Sequence, residues 1–147
     1  MFYAMCLGLA LVVATVLIHF WMLRNTSSVL CRCTPDTHAP VLIAVTGVFI
    51  AHLLEISLYA GAYALLEHTL AVGELLGPLG DAPMDFFYYS IVMYTSLGLG
   101  DVFPVNHLRV MSGVEALNGL VLIGWSTSFT FLVMRRYWPM NEPSARS

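Results

Sequence analysis

The sequence predicts an all-α membrane protein with three transmembrane helices and, between the second and third, a short re-entrant helix followed by a glycine-containing loop. Two observations predict this class. Apolar residues make up 59% of the 147 residues and charged residues only 10%, against about 45–50% and about 25% in soluble proteins. Three apolar stretches also reach the length of about 20 residues that a helix needs to cross a bilayer.

The first predicted helix covers residues 4–23, in which His19 is the one residue of the Asp, Glu, Lys, Arg and His types. We expect His19 near the inner membrane interface, as a snorkelling or capping residue. A cleaved signal peptide is disfavoured, because no Arg or Lys precedes Arg24 and the apolar stretch is too long. Residues 24–39 are polar and predict a cytoplasmic loop with Cys31 and Cys33 as free thiols.

Residues 40–138 form the second predicted unit, which opens with a helix over 40–66 whose Pro40 suits a first turn. Residues 67–81 are acidic and glycine-bearing, which is typical of a loop. Asp81-Ala82-Pro83 then indicates a helix start. The resulting helix over 84–95 is too short to cross a bilayer. The last helix covers 110–136, and residues 139–147 are expected to form a short cytoplasmic tail.

The arginines predict the orientation of the spans, since the chain contains no lysine. They fall mainly in two groups, one in the first loop and one after the third span: Arg24 and Arg32, then Arg135, Arg136 and Arg146. Positive residues favour the cytoplasmic side, so we expect a multi-pass protein of the cell membrane with its N-terminus outside and its C-terminus in the cytoplasm. No basic stripe is interleaved with aromatic residues, so nucleic-acid binding has no support.

Residues 94–101 have the sequence YTSLGLGD, which is polar and glycine-spaced between two apolar segments. Non-helical backbone at membrane depth is tolerated only where it is buried in protein or lines a water-filled path. Gly98 and Gly100 can adopt positive φ without steric cost, and alternating handedness would let the carbonyls from Thr95 to Leu99 face one axis. Ser96 adds a hydroxyl. Such oxygens can replace the hydration shell of a monovalent cation. One chain supplies one loop, so a homo-oligomer is required.

YTSLGLGD resembles the signature of the tetrameric potassium channels, T-(T/S)-(V/I/L)-G-(Y/F/L)-G-D. The resemblance extends over residues 85–134, from the aromatic helix FFYYSIVMYT through DVFP into the last helix. The run GWSTSF at 124–129 and, more loosely, AHLLEISLYA at 51–60 resemble small prokaryotic channels of the two-pore type. The resemblance implies a homotetrameric, K⁺-conducting pore in the lipid bilayer, with a pore helix at 84–95, a selectivity filter at 95–101, and K⁺ in the filter as the one bound metal.

The resemblance also implies roles for individual residues. The filter oxygens would come from Thr95, Ser96, Leu97, Gly98, Leu99 and Gly100. The filter would be supported by Asp101, Tyr88 and Tyr89. Gly119 and Gly124 are spaced from the filter much as the family's hinge glycines are. The cavity wall and lower constriction would be lined by Leu120, Ile123, Thr127 and Phe131, which share one stripe of the helix.

Two positions depart from the family pattern. Leu99 stands where most members have Tyr, so its carbonyl is kept but a bracing hydroxyl is lost. We therefore expect weaker K⁺/Na⁺ discrimination or easier filter collapse than in a filter with Tyr. Val92 stands where some members place a carboxylate behind the filter, and Glu115 on the last helix is a candidate to replace that carboxylate in part.

Three ionisable residues lie inside predicted spans: His52, Glu55 and Glu115. Such groups are costly in a membrane and face protein or water. His52 and Glu55 are three residues apart and share a helix face. Two interpretations stay open: a proton or ion sensor that gates the pore, or a hydrogen-bonded clamp of His52 with Glu55 or Glu115.

Other functions find less support in the sequence. The first span carries no arginine ladder of the kind used by voltage sensors, and eleven residues after Arg136 cannot form a ligand-binding domain. A leak-type channel, or one tuned by pH, lipid or tension, is therefore expected. Neither G-x-S-x-G nor H-E-x-x-H occurs, so an enzyme is not expected. The alternatives kept open are a weakly selective monovalent cation channel and a non-conducting membrane accessory subunit.

Overall fold

The computed structural model describes residues 2–32, 39–69, 73–78 and 82–137. The expected tail at 139–147, Cys33 and Asp81 lie outside these residues. The described elements are α1 (Phe2–Leu30), α2 (Ala39–His68), β1 (Leu75–Leu76), α3 (Pro83–Tyr94), β2 (Phe103–Pro104) and α4 (Leu108–Tyr137). Helices α1, α2 and α4 are long and apolar enough to cross a membrane, and α3 has only 12 residues.

The three long helices pack together around α3. Helix α1 packs against α2 and α4, and α3 packs against both α2 and α4. The main core lies around α3 and is rich in tyrosine: Tyr59, Tyr63, Phe86, Tyr89, Leu108 and Met111 are all buried there. Because lipid supplies no hydrophobic drive between helices, the buried hydroxyls of such side chains contribute by hydrogen bonding across them.

Helix α1 is longer than the sequence predicted. We expected the helix to end at residue 23, but it continues through the polar residues to Leu30. The Ser28 hydroxyl donates to the Arg24 carbonyl one turn earlier, at 3.0 Å, which satisfies a hydroxyl without breaking the helix. At the helix end the Tyr137 hydroxyl donates to the Leu30 carbonyl at 3.1 Å. That carbonyl is one of those a helix terminus leaves without a partner.

The predicted loop before α3 contains a short strand that the sequence did not indicate. Strands β1 and β2 pair antiparallel, with Leu75 opposite Pro104 and Leu76 opposite Phe103. The Val105 amide also donates to the Glu74 carbonyl at 3.0 Å. This pairing ties the segment before α3 to the segment after the glycine-spaced loop. The loop is therefore held at both ends, by α3 and by β2.

Candidate functional site

Helix α3 delivers the chain to the glycine-spaced loop. It begins with Pro83 after the N-cap residue Ala82, and Thr95 is its C-cap. Beyond the helix end, the amides continue to point back into the last turn. Ser96 N–H donates to the Met93 carbonyl at 2.9 Å. Val92 accepts from two amides at once, those of Leu97 at 3.0 Å and Gly98 at 3.4 Å.

The backbone then alternates in handedness. Positive φ occurs at every second residue, with 57° at Ser96, 56° at Gly98 and 79° at Gly100. The positive φ of the two glycines follows the expectation from sequence. Ser96 was not expected there, because a side chain makes this region unfavourable for residues other than glycine. Alternation of this kind turns successive peptide groups into a regular array rather than a random coil.

The loop carbonyls have no hydrogen-bond donor within the described part of the chain. The N–H groups of Ser96, Leu97 and Gly98 donate to carbonyls of α3. None of the carbonyls of residues 95–100 accepts a hydrogen bond within the described residues. Residues 95–101 are also exposed in the single chain. A row of exposed carbonyl oxygens, held by bonds on the amide side, is chemically suited to replace the water around a bare cation.

One of the two expected supporting tyrosines contacts the outer end of the loop. The Tyr88 hydroxyl donates to Asp101 Oδ2 at 2.5 Å, and Asp101 Oδ1 accepts the Val102 amide at 3.0 Å. The Tyr88 hydrogen bond holds the pKa of the Asp101 carboxyl below its usual range, because a hydrogen bond to the charged form favours that form. Asp101 therefore links the loop to α3.

Tyr89, the other tyrosine expected to support the filter, contacts α4 in the single chain. Its ring is fully buried, and its hydroxyl pairs with Ser112 Oγ at 2.6 Å, on α4. Adjacent residues on a helix point about 100° apart, so only one of Tyr88 and Tyr89 can face the loop. Tyr89 instead fastens α3 to α4.

Glu115 lies on α4 behind α3 and is completely buried. Its two carboxylate oxygens accept separate hydroxyl bonds, Oε1 from Ser90 at 2.5 Å and Oε2 from Tyr63 at 2.5 Å. The Ser90 hydroxyl also contacts the Ile56 carbonyl at 2.9 Å. Glu115 thereby joins α2, α3 and α4, so its carboxylate holds the short helix rather than contacting the loop itself.

A second buried polar cluster combines all four helices. Glu55 on α2 accepts from His19 Nδ1 at 2.8 Å and from His52 Nδ1 at 3.2 Å. The Tyr94 hydroxyl, on the last residue of α3, bonds to Glu55 Oε2 and lies 2.8 Å from His52 Nδ1. Both His Nε2 atoms meet one hydroxyl, Ser126 Oγ on α4, at 3.1 and 3.0 Å. We call these five residues the His–Glu cluster.

This cluster corrects the expected position of His19. The ring is fully buried between helices and therefore does not snorkel, and it lies tilted against Trp125 with 5.3 Å between ring centroids. The sequence signal for this position is its polarity inside an apolar span. The pairing of His52 with Glu55 has the geometry of the clamp interpretation, and Glu115 belongs to the separate group around Ser90. His19, His52 and Glu55 bring ligand atoms within 4.8 Å of one another.

The stripe expected to line a cavity lies on the outer face of α4. Leu120 and Phe131 are more than half exposed, and Thr127 is exposed. Ile123, Thr127 and Phe131 line a groove of about 520 Å³ that also includes His52 and Ser126. Gly124 has open space around it, whereas Gly119 is buried directly against Tyr94. Both glycines lie within the continuous helix α4.

Comparison with known proteins gives one match. A protein-family model described as "Ion channel" matches residues 41–136. No curated protein matches the chain. No solved structure matches it either. The matched range covers about two thirds of the chain, from the start of α2 to the end of α4, and includes the loop at 95–101.

Proposed function

Because the chain belongs to the ion channel family, we propose that it is a K⁺-selective channel whose filter is the loop at 95–101. The observation that carries this proposal is the alternating positive φ at Ser96, Gly98 and Gly100, together with carbonyls that no described donor satisfies. The amides of 96–98 are committed to α3, so the oxygens are the groups left to face an ion. Backbone oxygens arranged in rings are how K⁺ is dehydrated and coordinated.

A homotetramer follows from the same carbonyls. Unpaired peptide groups at membrane depth cost several kcal/mol each if they face lipid. In one chain the loop is exposed, so further copies are needed to enclose it around a central axis. Leu97 and Leu99 are 62% and 58% exposed, which leaves apolar surface for these copies to cover. Four loops supply the rings of oxygens of the channels that YTSLGLGD resembles.

We infer that the chain lies in the cell membrane with the loop facing outside. Arg135 and Arg136 lie in the last turn of α4. Arg24 lies near the end of α1, and Arg32 follows that end by two residues. The positive-inside rule assigns both groups to the cytoplasm. Among the described residues the spanning helices carry no arginine ladder, so we expect leak-type conduction, or conduction tuned by pH, lipid or tension, without a voltage sensor of the usual kind.

A weakly selective monovalent cation channel is the second candidate. Leu99 favours this second candidate, because a leucine side chain cannot brace the filter by hydrogen bonding. In the structure the bracing of the outer end depends on the Tyr88–Asp101 bond. Selectivity then rests on that one brace and on the backbone bonds to Val92.

Proteoliposome flux separates these functions. Vesicles that contain the purified protein and are loaded with K⁺ are expected to release K⁺. Matched vesicles loaded with Na⁺ are expected to release Na⁺ much more slowly. Equal rates would favour the weakly selective channel, and no flux would favour the accessory subunit. Gly98→Ala supplies the inactive comparison, because alanine is strained at φ 56°. Gly113→Ala is the matched control, since that helical glycine has open space for a methyl group.

A further inference from the structure

The His–Glu cluster has one hydrogen-bond acceptor more than its own donor hydrogens can satisfy. With Glu55 ionised, both His Nδ1 atoms and the Tyr94 hydroxyl donate toward its carboxylate. Each neutral imidazole then has a bare Nε2, which can only accept. Both Nε2 atoms face Ser126 Oγ, at 3.1 and 3.0 Å. Since that hydroxyl has a single hydrogen, it can satisfy one ring and not the other. A bound cation in the cluster removes this conflict.

We propose that His19, His52, Glu55 and Tyr94 form a binding site for a divalent transition-metal ion such as Zn²⁺, between α1, α2 and the end of α3. The proposal concerns binding by this chain and does not depend on conduction. Imidazole nitrogens and carboxylate oxygens are the ligands that Zn²⁺ takes in sites with two His and one Glu. Tyr94 adds a fourth oxygen to complete a tetrahedron.

The spacing of the four donors fits such an ion. Metal–ligand bonds of about 2.0–2.2 Å in a tetrahedron place the ligand atoms roughly 3.3 Å apart. His19 Nδ1 lies 2.8 Å from Glu55 Oε1, and His52 Nδ1 lies 3.2 Å from Oε2 and 2.8 Å from the Tyr94 hydroxyl. The ligand atoms of His19, His52 and Glu55 all lie within 4.8 Å of one another. Binding of an ion would also separate the Tyr94 hydroxyl from Oε2, which are in close contact without it.

Metal at the Nδ1 side also resolves the contacts at Ser126. Each imidazole then carries its proton on Nε2, and both Nε2–H groups donate to the two lone pairs of Ser126 Oγ. Ligating histidines nearly always donate their second ring N–H to such a partner, which orients the ring. One serine on α4 thus serves both rings, which are 5.3 Å apart between centroids.

The charges balance in this site. Before binding, the cluster holds the Glu55 carboxylate, two neutral imidazoles and a neutral Tyr94, with net charge of minus one. Binding of a divalent ion forms four metal–ligand bonds, and the Tyr94 phenol releases its proton to water. The product is neutral, with one proton released for each metal ion bound. Neutrality suits a site in which His19 and Glu55 are fully buried.

An entry path exists at His52. Its side chain is 16% exposed, and together with Ser126 it lines the groove of about 520 Å³ along α4. The ion can therefore reach the Nδ1 side past His52 while His19 stays enclosed. Occupation would tie α1 to the last residue of α3, which directly precedes the loop at 95–101.

Metal titration of the purified full-length chain in detergent tests the proposal. The background carries Cys6→Ser, Cys31→Ser and Cys33→Ser, because thiolates also bind these ions. We expect one Co²⁺ per chain with the absorption bands of a tetrahedral ion, displacement by Zn²⁺, and release of one proton per ion. His52→Asn is expected to weaken binding at least about tenfold, and Ser126→Ala about tenfold through loss of the ring orientation.

His107→Asn is the matched control, because His107 is partly buried in the turn before α4 and outside the cluster. It should bind Co²⁺ like the background. Absence of stoichiometric binding in the background, or equal binding by His52→Asn and the background, overturns the proposal and leaves an imidazolium proton as the cation. If His52→Asn does not elute as the background does, Ser126→Ala decides, since it keeps all four ligands. Unchanged binding by Ser126→Ala overturns the orientation of the two rings by Ser126 and with it the proposed site.

Discussion

Gly119 on α4 lies against the carbonyl oxygen of Tyr94, the last residue of α3, so closely that a Cβ atom on Gly119 would overlap that oxygen. Tyr94 is also held by its hydroxyl to Glu55 and His52. The residue that precedes the loop is thereby fixed at its backbone by α4 and at its ring by α2. The glycine expected from its spacing to act as a hinge is required here for close approach.

Gly119→Ala is therefore expected to be costly, and Gly124→Ala is not. Overpacking against a backbone atom that cannot move costs about 1–3 kcal/mol, and it should displace the start of the loop and reduce K⁺ flux. Gly124 has open space, so alanine there should be neutral or stabilise the helix by up to about 1 kcal/mol. Thermal denaturation and flux of both variants check this; equal behaviour would contradict the assigned contact.

Leu99→Tyr tests the first of the two departures from the family pattern. The added hydroxyl can form the brace that leucine lacks, so the K⁺/Na⁺ permeability ratio should rise or the filter should resist collapse in low K⁺. Reversal potentials in planar bilayers measure the ratio. Leu99→Phe, which adds the same ring at the same exposed position without the hydroxyl, is the control. Identical ratios and filter stability in wild type and Leu99→Tyr would remove the idea.

The Tyr88–Asp101 bond is expected to persist over the ordinary range of external pH. The pKa of Asp101 is lowered from 3.8, so the contribution of the bond is fully present above 3.8 and is lost only as pH falls through the lower folded-state value. Asp101 therefore stays ionised between about pH 7 and about pH 5, and K⁺ flux into proteoliposomes should not change over this range through loss of the Tyr88–Asp101 bond.

Removing the Tyr88 hydroxyl should have the same effect on the loop as protonation of Asp101, at any pH. Tyr88→Phe is expected to lower K⁺/Na⁺ discrimination or shorten the lifetime of the conducting state, measured in single-channel recordings. Tyr137→Phe also removes one hydrogen bond, to Leu30 far from the loop, and should leave selectivity unchanged. A loss of selectivity in both variants would show that the effect is not specific to Asp101.

Glu115→Leu should destabilise the packing of α3. Both carboxylate oxygens accept hydroxyls, from Ser90 and Tyr63, and leucine accepts neither, so the Tyr63 hydroxyl keeps only its 3.3 Å contact with Ser112. The loss of this buried acceptor should cost about 1–3 kcal/mol. The melting temperature in detergent measures the effect. Ser57→Ala is the control, because the exposed Ser57 bonds only within its own helix. A variant as stable as wild type would mean that Glu115 does not hold α3.

Local patterns account for what the sequence could predict. Apolar length predicted the three long helices, and Pro83 after Ala82 predicted the start of α3. The i, i+3 spacing brought His52 and Glu55 to one face, and their bond has that geometry. Positive φ at Gly98 and Gly100 followed from the absence of a side chain.

Contacts between distant segments could not be predicted in the same way. His19 meets Glu55 across 36 residues, and a lone histidine in an apolar helix does not name its partner. The choice between Tyr88 and Tyr89 depends on the rotation of α3, and the positive φ of Ser96 depends on the bonds that hold its neighbours to Val92. The pairing of β1 with β2 involves only two residues per strand, too few to produce a pattern.

The most direct test of the account is an experimental structure of the reconstituted protein in K⁺. We expect four chains around one axis, with ion density between successive rings of carbonyl oxygens from Thr95 to Leu99. A monomer or dimer, or carbonyls of these residues turned away from a common axis, would contradict the account.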